Sequence, residues 1–180
     1  IIFLLLKKNL FNKKKYNHLL RIAINKKLIS ISIRKKVTVK NNFNLKLVNL
    51  KREKPEYKNL KYKKILSHIS KLNSAKSDIG LVDKNKLLET GTSNILLVKN
   101  DKFYSPIKNF YRGITIRLLE KKLNKIYKKD IFTDELDQYD EILLLGSGKG
   151  VASVKNIFDK KWKRKSLKFF NLVSKKFNLE

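Results

Sequence analysis

The chain has 180 residues, with 44 Lys+Arg against 15 Asp+Glu for a formal net charge of +29, and it contains neither Cys nor Met. This length buries one good core, or a core plus part of a second domain. The absence of cysteine excludes a disulfide framework, a thiolate nucleophile and a cysteine-ligated metal.

So large a charge would ordinarily suggest nucleic acid or an anionic surface. Only six of the cations are Arg, however (Arg21, Arg34, Arg52, Arg112, Arg117 and Arg164), and Lys is spread along the whole sequence. The excess therefore reads as a compositional drift that leaves a solvated lysine surface, and nucleic acid is not an expected partner. The opening apolar run, Ile1 to Leu6, is far below the roughly 20 residues that span a bilayer. Lys7 and Lys8 follow that run, whereas a signal peptide carries its charges first. Residues 1–15 are expected to be the tail of a truncated element, and a cytoplasmic setting without a membrane is expected.

In chain order, the β-branched runs His18 to Ile24 and Leu28 to Ile33 around Asn25-Lys26-Lys27 predict a hairpin, and Leu45 to Leu50 predicts a third strand. In Asn59 to Asn73, the residues Tyr62, Ile65, Leu66, Ile69 and Leu72 form one apolar stripe with Lys on the other faces, which predicts a helix entered from the turn at Pro55. Short strands follow at Ile79 to Val82, Leu87-Leu88, Ile95 to Val98 and Phe103-Tyr104, with turns at Asp83-Lys84-Asn85 and Asn100-Asp101. A second helix is expected after Gly113, with Thr115 near its start and Ile116, Leu119, Leu123, Ile126 and Tyr127 on one face. Ile142 to Leu145 and Val151 to Val154 read as strands around Gly146-Ser147-Gly148-Lys149-Gly150, and Lys163 to Phe177 as a closing helix.

Most isolated motifs carry little. Gly146 to Gly150 lacks the Lys-Ser/Thr ending of a phosphate-binding P-loop, and its glycine spacing and following strand do not suit a dinucleotide fingerprint. His18 and His68 stand alone, and the acidic cluster Asp134, Glu135, Asp137, Asp140 and Glu141 reads as a short helix start in solvent. The segment Leu88-Glu89-Thr90-Gly91-Thr92-Ser93-Asn94 and the later Gly113-Ile114-Thr115 are different. A carboxylate in a small-residue loop suits the proton of a ring nitrogen, and a helix start suits a phosphate, so the pair fits a phosphate-bearing heteroaromatic cofactor.

The pieces Tyr57-Lys58-Asn59-Leu60, Asp83-Lys84-Asn85, Glu89 to Asn94, Tyr104-Ser105-Pro106, Gly113-Ile114-Thr115, and Glu141 to Leu145 followed by Gly146-Ser147 occur in one order between about Arg21 and Ile157. In that order they resemble the class IV aminotransferase family of pyridoxal-phosphate enzymes, which includes branched-chain aminotransferases and 4-amino-4-deoxychorismate lyases. The resemblance implies an α+β fold. Its large domain, a mixed-sheet pseudo-barrel, would cover residues 21–180, and residues 1–20 would be a remnant of a small N-terminal domain. It also implies pyridoxal 5′-phosphate as cofactor, a small-molecule amino substrate, a homodimer and no metal.

Residue by residue, the resemblance makes Lys58 the catalytic lysine that also holds the cofactor. Glu89 would bind the ring nitrogen, Thr92 and Asn94 would belong to the same binding loop, and Ile114, Thr115 and Ser147 would hold the phosphate. Composition alone would nominate any lysine, and Lys61, Lys63 and Lys64 lie nearby. Without the resemblance, Glu89 reads as a solvated loop carboxylate and the Ile114, Thr115 and Ser147 groups as ordinary capping. The chain departs from the family where Ile116 stands in place of the Arg that usually follows Gly-Ile-Thr, with Arg117 one position late. The family's upstream phosphate-clamping Arg is also missing.

Within the family, the segment Gly148 to Trp162 looks more like the lyase members. It implies release of pyruvate from 4-amino-4-deoxychorismate to give 4-aminobenzoate in folate biosynthesis, with a branched-chain or other class IV transaminase as the alternative. A truncated inactive homologue and a basic nucleic-acid-binding protein are the readings of another class.

Overall fold

The computed structural model describes residues 18–35, 42–59 and 61–177. The expected element at 1–15 lies outside the described residues. The chain divides into two units, residues 1–37 and 38–180, and each is described by itself.

In the first unit, β1 (His18–Ile24) and β2 (Ile29–Lys35) form the expected antiparallel hairpin, with Ile22 opposite Ile31. Leu28 belongs to the turn and not to the strand. The side-chain oxygen of Asn25 accepts the N–H groups of Lys27 at 2.8 Å and Leu28 at 2.7 Å, an Asx turn that sets where β2 begins.

The second unit runs β3 (Asn42–Asn49), α1 (Lys63–Ile69), β4 (Ser77–Asp83), β5 (Lys86–Thr90), β6 (Asn94–Lys99), β7 (Lys102–Ser105), α2 (Ile114–Lys122), β8 (Ile126–Lys128), β9 (Glu141–Gly146), β10 (Gly150–Phe158) and α3 (Lys168–Phe177). Its eight strands make one curled mixed sheet, a half-barrel in the order β5-β4-β3-β10-β9-β6-β7-β8. The α+β mixed-sheet expectation is therefore met. Strands β3 and β4 are parallel, so a crossover must join them, and α1 sits in it with Ile65 and Ile69 packed on Ile79, Leu81 and Val48.

Two tight turns follow from local chemistry. Lys84-Asn85 (φ 49° and 62°) and Asn100-Asp101 (φ 50° and 58°) join β4 to β5 and β6 to β7 with both central residues left-handed. Such turns match the strand twist, and Asn and Asp tolerate them. Both faces of the sheet centre are covered. Ile95, Leu97, Ile142 and Leu144 pack with Phe43, Leu45 and Trp162 on one face, while Leu96, Val98, Leu143 and Leu145 pack with α2 and α3 on the other. This double burial explains why β6 and β9 are continuous apolar runs and not alternating ones.

Three helices differ in extent from the sequence expectation. The first starts at Lys63 and not Asn59, because the Asn59 amide donates to the carbonyls of Glu53 (2.8 Å) and Lys54 (3.1 Å) and its oxygen accepts Lys61 N–H (2.8 Å). The second ends at Lys122. Leu123 is already extended, and Ile126 and Tyr127 form β8, parallel to β7. The third begins at Lys168, since the preceding backbone is tied to the sheet: Lys163 bridges Asn156, Arg164 N–H donates to Lys155, and the Trp162 indole donates to the Tyr139 carbonyl at 2.9 Å. Among the acidic cluster, Leu136–Gln138 is a single 3-10 turn. No helix among the described residues is long and apolar enough to cross a membrane, and no group of His, Asp and Glu among them is arranged to hold a metal.

Candidate functional site

Glu89 lies next to the end of β5 and is only 3% exposed. Its carboxylate accepts Arg52 Nε at 2.9 Å and the backbone N–H of Tyr111, while Arg52 Nη2 reaches the Gly91 carbonyl at 3.3 Å. Burial pushes the Glu89 carboxyl above its ordinary range; Arg52 and the Tyr111 N–H pull it back only in part.

The loop after Glu89 is shaped by hydroxyls. Thr90 Oγ1 accepts the N–H groups of Ser93 (2.8 Å) and Thr92 (3.3 Å), so the chain turns back at once into β6. Gly91 is packed too closely for a side chain, since an added Cβ would lie 2.7 Å from Ile69 Cδ1 and 2.9 Å from Ile79 Cγ1.

Asn94, the first residue of β6, is 4% exposed and fixes the entry to α2. Its oxygen accepts Gly113 N–H at 3.0 Å and its amide donates to the Tyr111 carbonyl. Gly113 is required there, because a Cβ would stand 2.8 Å from that same oxygen. The helix begins at Ile114, so the N–H groups of Ile114 and Thr115 are among the first-turn donors that no intrahelical carbonyl satisfies. Thr115 is buried and Ile114 is exposed.

Tyr111 is the hub of the arrangement. Its N–H reaches Glu89, its carbonyl reaches Asn94, and its ring lies 6.0 Å from Lys58 Nζ, on an exposed residue. The structure thus gathers Lys58, Glu89, Asn94 and the Gly113-Ile114-Thr115 turn around one residue. Ser147 is exposed in the β9–β10 turn. That turn abuts the Thr92–Asn94 segment: Leu145 pairs with Asn94, and a Cβ on Gly146 would lie 3.2 Å from Ser93 Oγ.

Thr92 is engaged differently from its neighbours. Its hydroxyl donates to Asp78 Oδ2 at 2.6 Å and accepts Lys149 Nζ at 2.7 Å. Arg52, Asp78, Tyr111 and Lys149 were not picked out as site residues by the sequence. Only Arg52 carried a signal, as one of the few Arg residues where Lys is the default cation, and Arg is the residue suited to a forked hold on a carboxylate.

The chain matches the family model for amino-transferase class IV over residues 6–157. Among solved structures it is similar to a candidate 4-amino-4-deoxychorismate lyase from Legionella pneumophila (17% identity, TM-score 0.69, covering 81% of this chain and 58% of that one). It is also similar to a branched-chain aminotransferase from Thermoproteus uzoniensis, solved with norvaline (15% identity, TM-score 0.69, 83% and 55%). A third is an aminotransferase from Brucella abortus bound to the cofactor PLP (17% identity, TM-score 0.64, 81% and 57%). The chain therefore spans less than two thirds of the length of each of these structures. No curated protein matches it. At these identities the structures speak for the fold. The family model, which covers most of the sequence, shows that the chain belongs to the class IV aminotransferases.

Proposed function

We propose that this chain is the cofactor-binding body of a pyridoxal 5′-phosphate enzyme, with 4-amino-4-deoxychorismate lyase as its activity. The observation that carries the reading is the Tyr111 hub, which groups an amine (Lys58), a buried carboxylate (Glu89) and a helix start with free N–H groups (Ile114, Thr115). The donor set fits the group. A carboxylate offers about four lone-pair sites. Arg52 and Tyr111 use two of them, which leaves acceptors for a ring N–H. Gly113 and Gly146 let the Asn94 and Ser93 side chains close on the backbone, which holds the helix start and the Ser147 turn beside the Glu89 loop.

When bound, pyridoxal phosphate supplies an electron sink for the bond broken at the substrate's amine-bearing carbon. Glu89 would hold the proton on the ring nitrogen, with Arg52 beside it favouring the ionised carboxylate against burial. Lys58 would anchor the cofactor and then move the proton at the amine-bearing carbon. Ile114 and Thr115 N–H groups, with the Ser147 hydroxyl, would orient the phosphate, and Asn94 would keep that helix start in place. Thr92 would contribute through the loop it braces. In this reading residues 1–20 are the end of a smaller domain, the working unit is a homodimer acting on a small amino substrate, and the setting is cytoplasmic.

The test is spectroscopic. The protein with pyridoxal phosphate should be yellow, and Lys58→Ala should abolish the visible band; a wild-type protein that stays colourless would refute the cofactor. Pyruvate formed from 4-amino-4-deoxychorismate without an added keto acid supports the lyase, and a strict keto-acid requirement would assign a transaminase instead.

A further inference from the structure

Asp78, near the start of β4, is 1% exposed in its side chain, and both of its carboxylate oxygens are hydrogen-bonded. Oδ1 accepts Ile79 N–H at 2.8 Å. Oδ2 accepts the hydroxyls of Thr90 (2.9 Å) and Thr92 (2.6 Å) and the ammonium of Lys149, whose side chain is 11% exposed. Lys149 also donates to Thr92 Oγ1 at 2.7 Å. A buried ion pair carries a large desolvation cost and persists where further hydrogen bonds support both partners, as the Ile79 N–H and the Thr90 and Thr92 hydroxyls do here. Three of its four donors converge on Oδ2, which commits the Asp78 carboxylate to the loop hydroxyls and to Lys149. It works as a tie.

The tie joins two segments distant in sequence: the loop after Glu89, and the β9–β10 turn closed by Lys149 N–H on the Gly146 carbonyl at 3.0 Å, with Gly150 left-handed at φ +69°. Ser147 sits inside that turn, two residues before Lys149. The ammonium also lies 4.7 Å from the Phe43 ring. Phe43 belongs to the core on one face of the sheet, whereas α2, with its first-turn N–H groups, packs on the other face. Lys149 is thus bonded to Asp78 and Thr92 and bears on the site through the turn that carries Ser147.

We propose that Lys149, paired with Asp78 and Thr92, is a positioning residue that fixes the Ser147 turn and so sets the affinity of the site for the phosphate of its cofactor. The inference rests on the cofactor reading above. Its test is equilibrium titration of the protein with pyridoxal 5′-phosphate and with pyridoxal, which has the same ring without the phosphate. Lys149→Met should weaken pyridoxal phosphate about tenfold, the worth of one charge-assisted hydrogen bond, and leave pyridoxal within about twofold. In a Ser147→Ala background the same substitution should add less than about twofold, since the group it positions is gone.

Lys149→Met alone strips a buried carboxylate of its partner and can abolish folding. The double variant Asp78→Asn/Lys149→Met removes both charges and should show the same phosphate-specific loss, and Lys149→Arg should restore most of it. Unchanged affinity in the folded double variant, equal losses for the two probes, or a loss additive with Ser147→Ala overturns the inference alone. Wild-type protein that binds neither probe overturns the cofactor reading and this inference with it.

Discussion

Asn94→Ala removes both bonds by which β6 holds the entry to α2: the 3.0 Å acceptance of Gly113 N–H and the donation to the Tyr111 carbonyl. Each neutral hydrogen bond contributes about 1 kcal/mol net, and both deserted backbone groups lie in partly buried surroundings where water reaches them in part, so the loss should be about 2 kcal/mol. For a chain of this size that lowers Tm by roughly 4–8 °C. The assay is thermal and urea unfolding followed by circular dichroism, with amide exchange at Gly113 as a local check. Asn94→Asp sharpens the test. It keeps the acceptor for Gly113 N–H but sets a carboxylate oxygen against the Tyr111 carbonyl, so part of its deficit should return as the pH falls and the carboxyl protonates. A Tm for Asn94→Ala within about 1 °C of wild type, or an Asn94→Asp deficit that deepens in acid, would refute the argument that this amide assembles the site.

Other substitutions test the supports. Gly91→Ala would drive a Cβ into Ile69 and Ile79, and overpacking of that kind should cost about 1–3 kcal/mol and loosen α1 first, as exchange of the α1 amides would report. Glu141, fully buried, accepts the N–H groups of Phe169 (2.9 Å) and Phe170 (2.8 Å) at the start of α3; Glu141→Ala should cost about 2–3 kcal/mol and fray that helix, measured by urea unfolding and α3 exchange. The pH dependence has two signs. Burial raises Glu120, but the hydrogen bonds of Lys128 and Arg112 outweigh it and hold its carboxyl below the ordinary 4.5. Its stabilisation is present above that value and lost as the pH falls through the lower folded one, so Glu120→Gln should flatten the acid limb of a stability–pH curve. Glu89, raised by burial, has the opposite sign: its contribution is full below 4.5 and lost as the pH rises through its folded value, a loss Glu89→Gln should abolish.

The readable parts of the sequence were those whose causes are local or periodic. The apolar runs of β6 and β9 reflect burial on both faces, and Asn85, Asn100 and Asp101 mark their turns because they tolerate left-handed backbone. Ile126 and Tyr127 misled because they continue the apolar stripe of α2, yet pairing with β7 overrides that pattern. The ties that build the site were illegible for a different reason. Arg52 meets Glu89 across 37 residues and Lys149 meets Asp78 across 71, and no local pattern encodes a contact at such separations. The resemblance supplied the order of the candidate site residues. The fold supplied Tyr111, the residue around which Lys58, Glu89 and Asn94 meet.

The most direct measurement is borohydride reduction of the protein with pyridoxal phosphate, followed by peptide mapping. A single reduced-cofactor adduct on Lys58, lost in Lys58→Ala, is expected. No adduct, or labelling spread over Lys61, Lys63 and Lys64, would contradict this expectation.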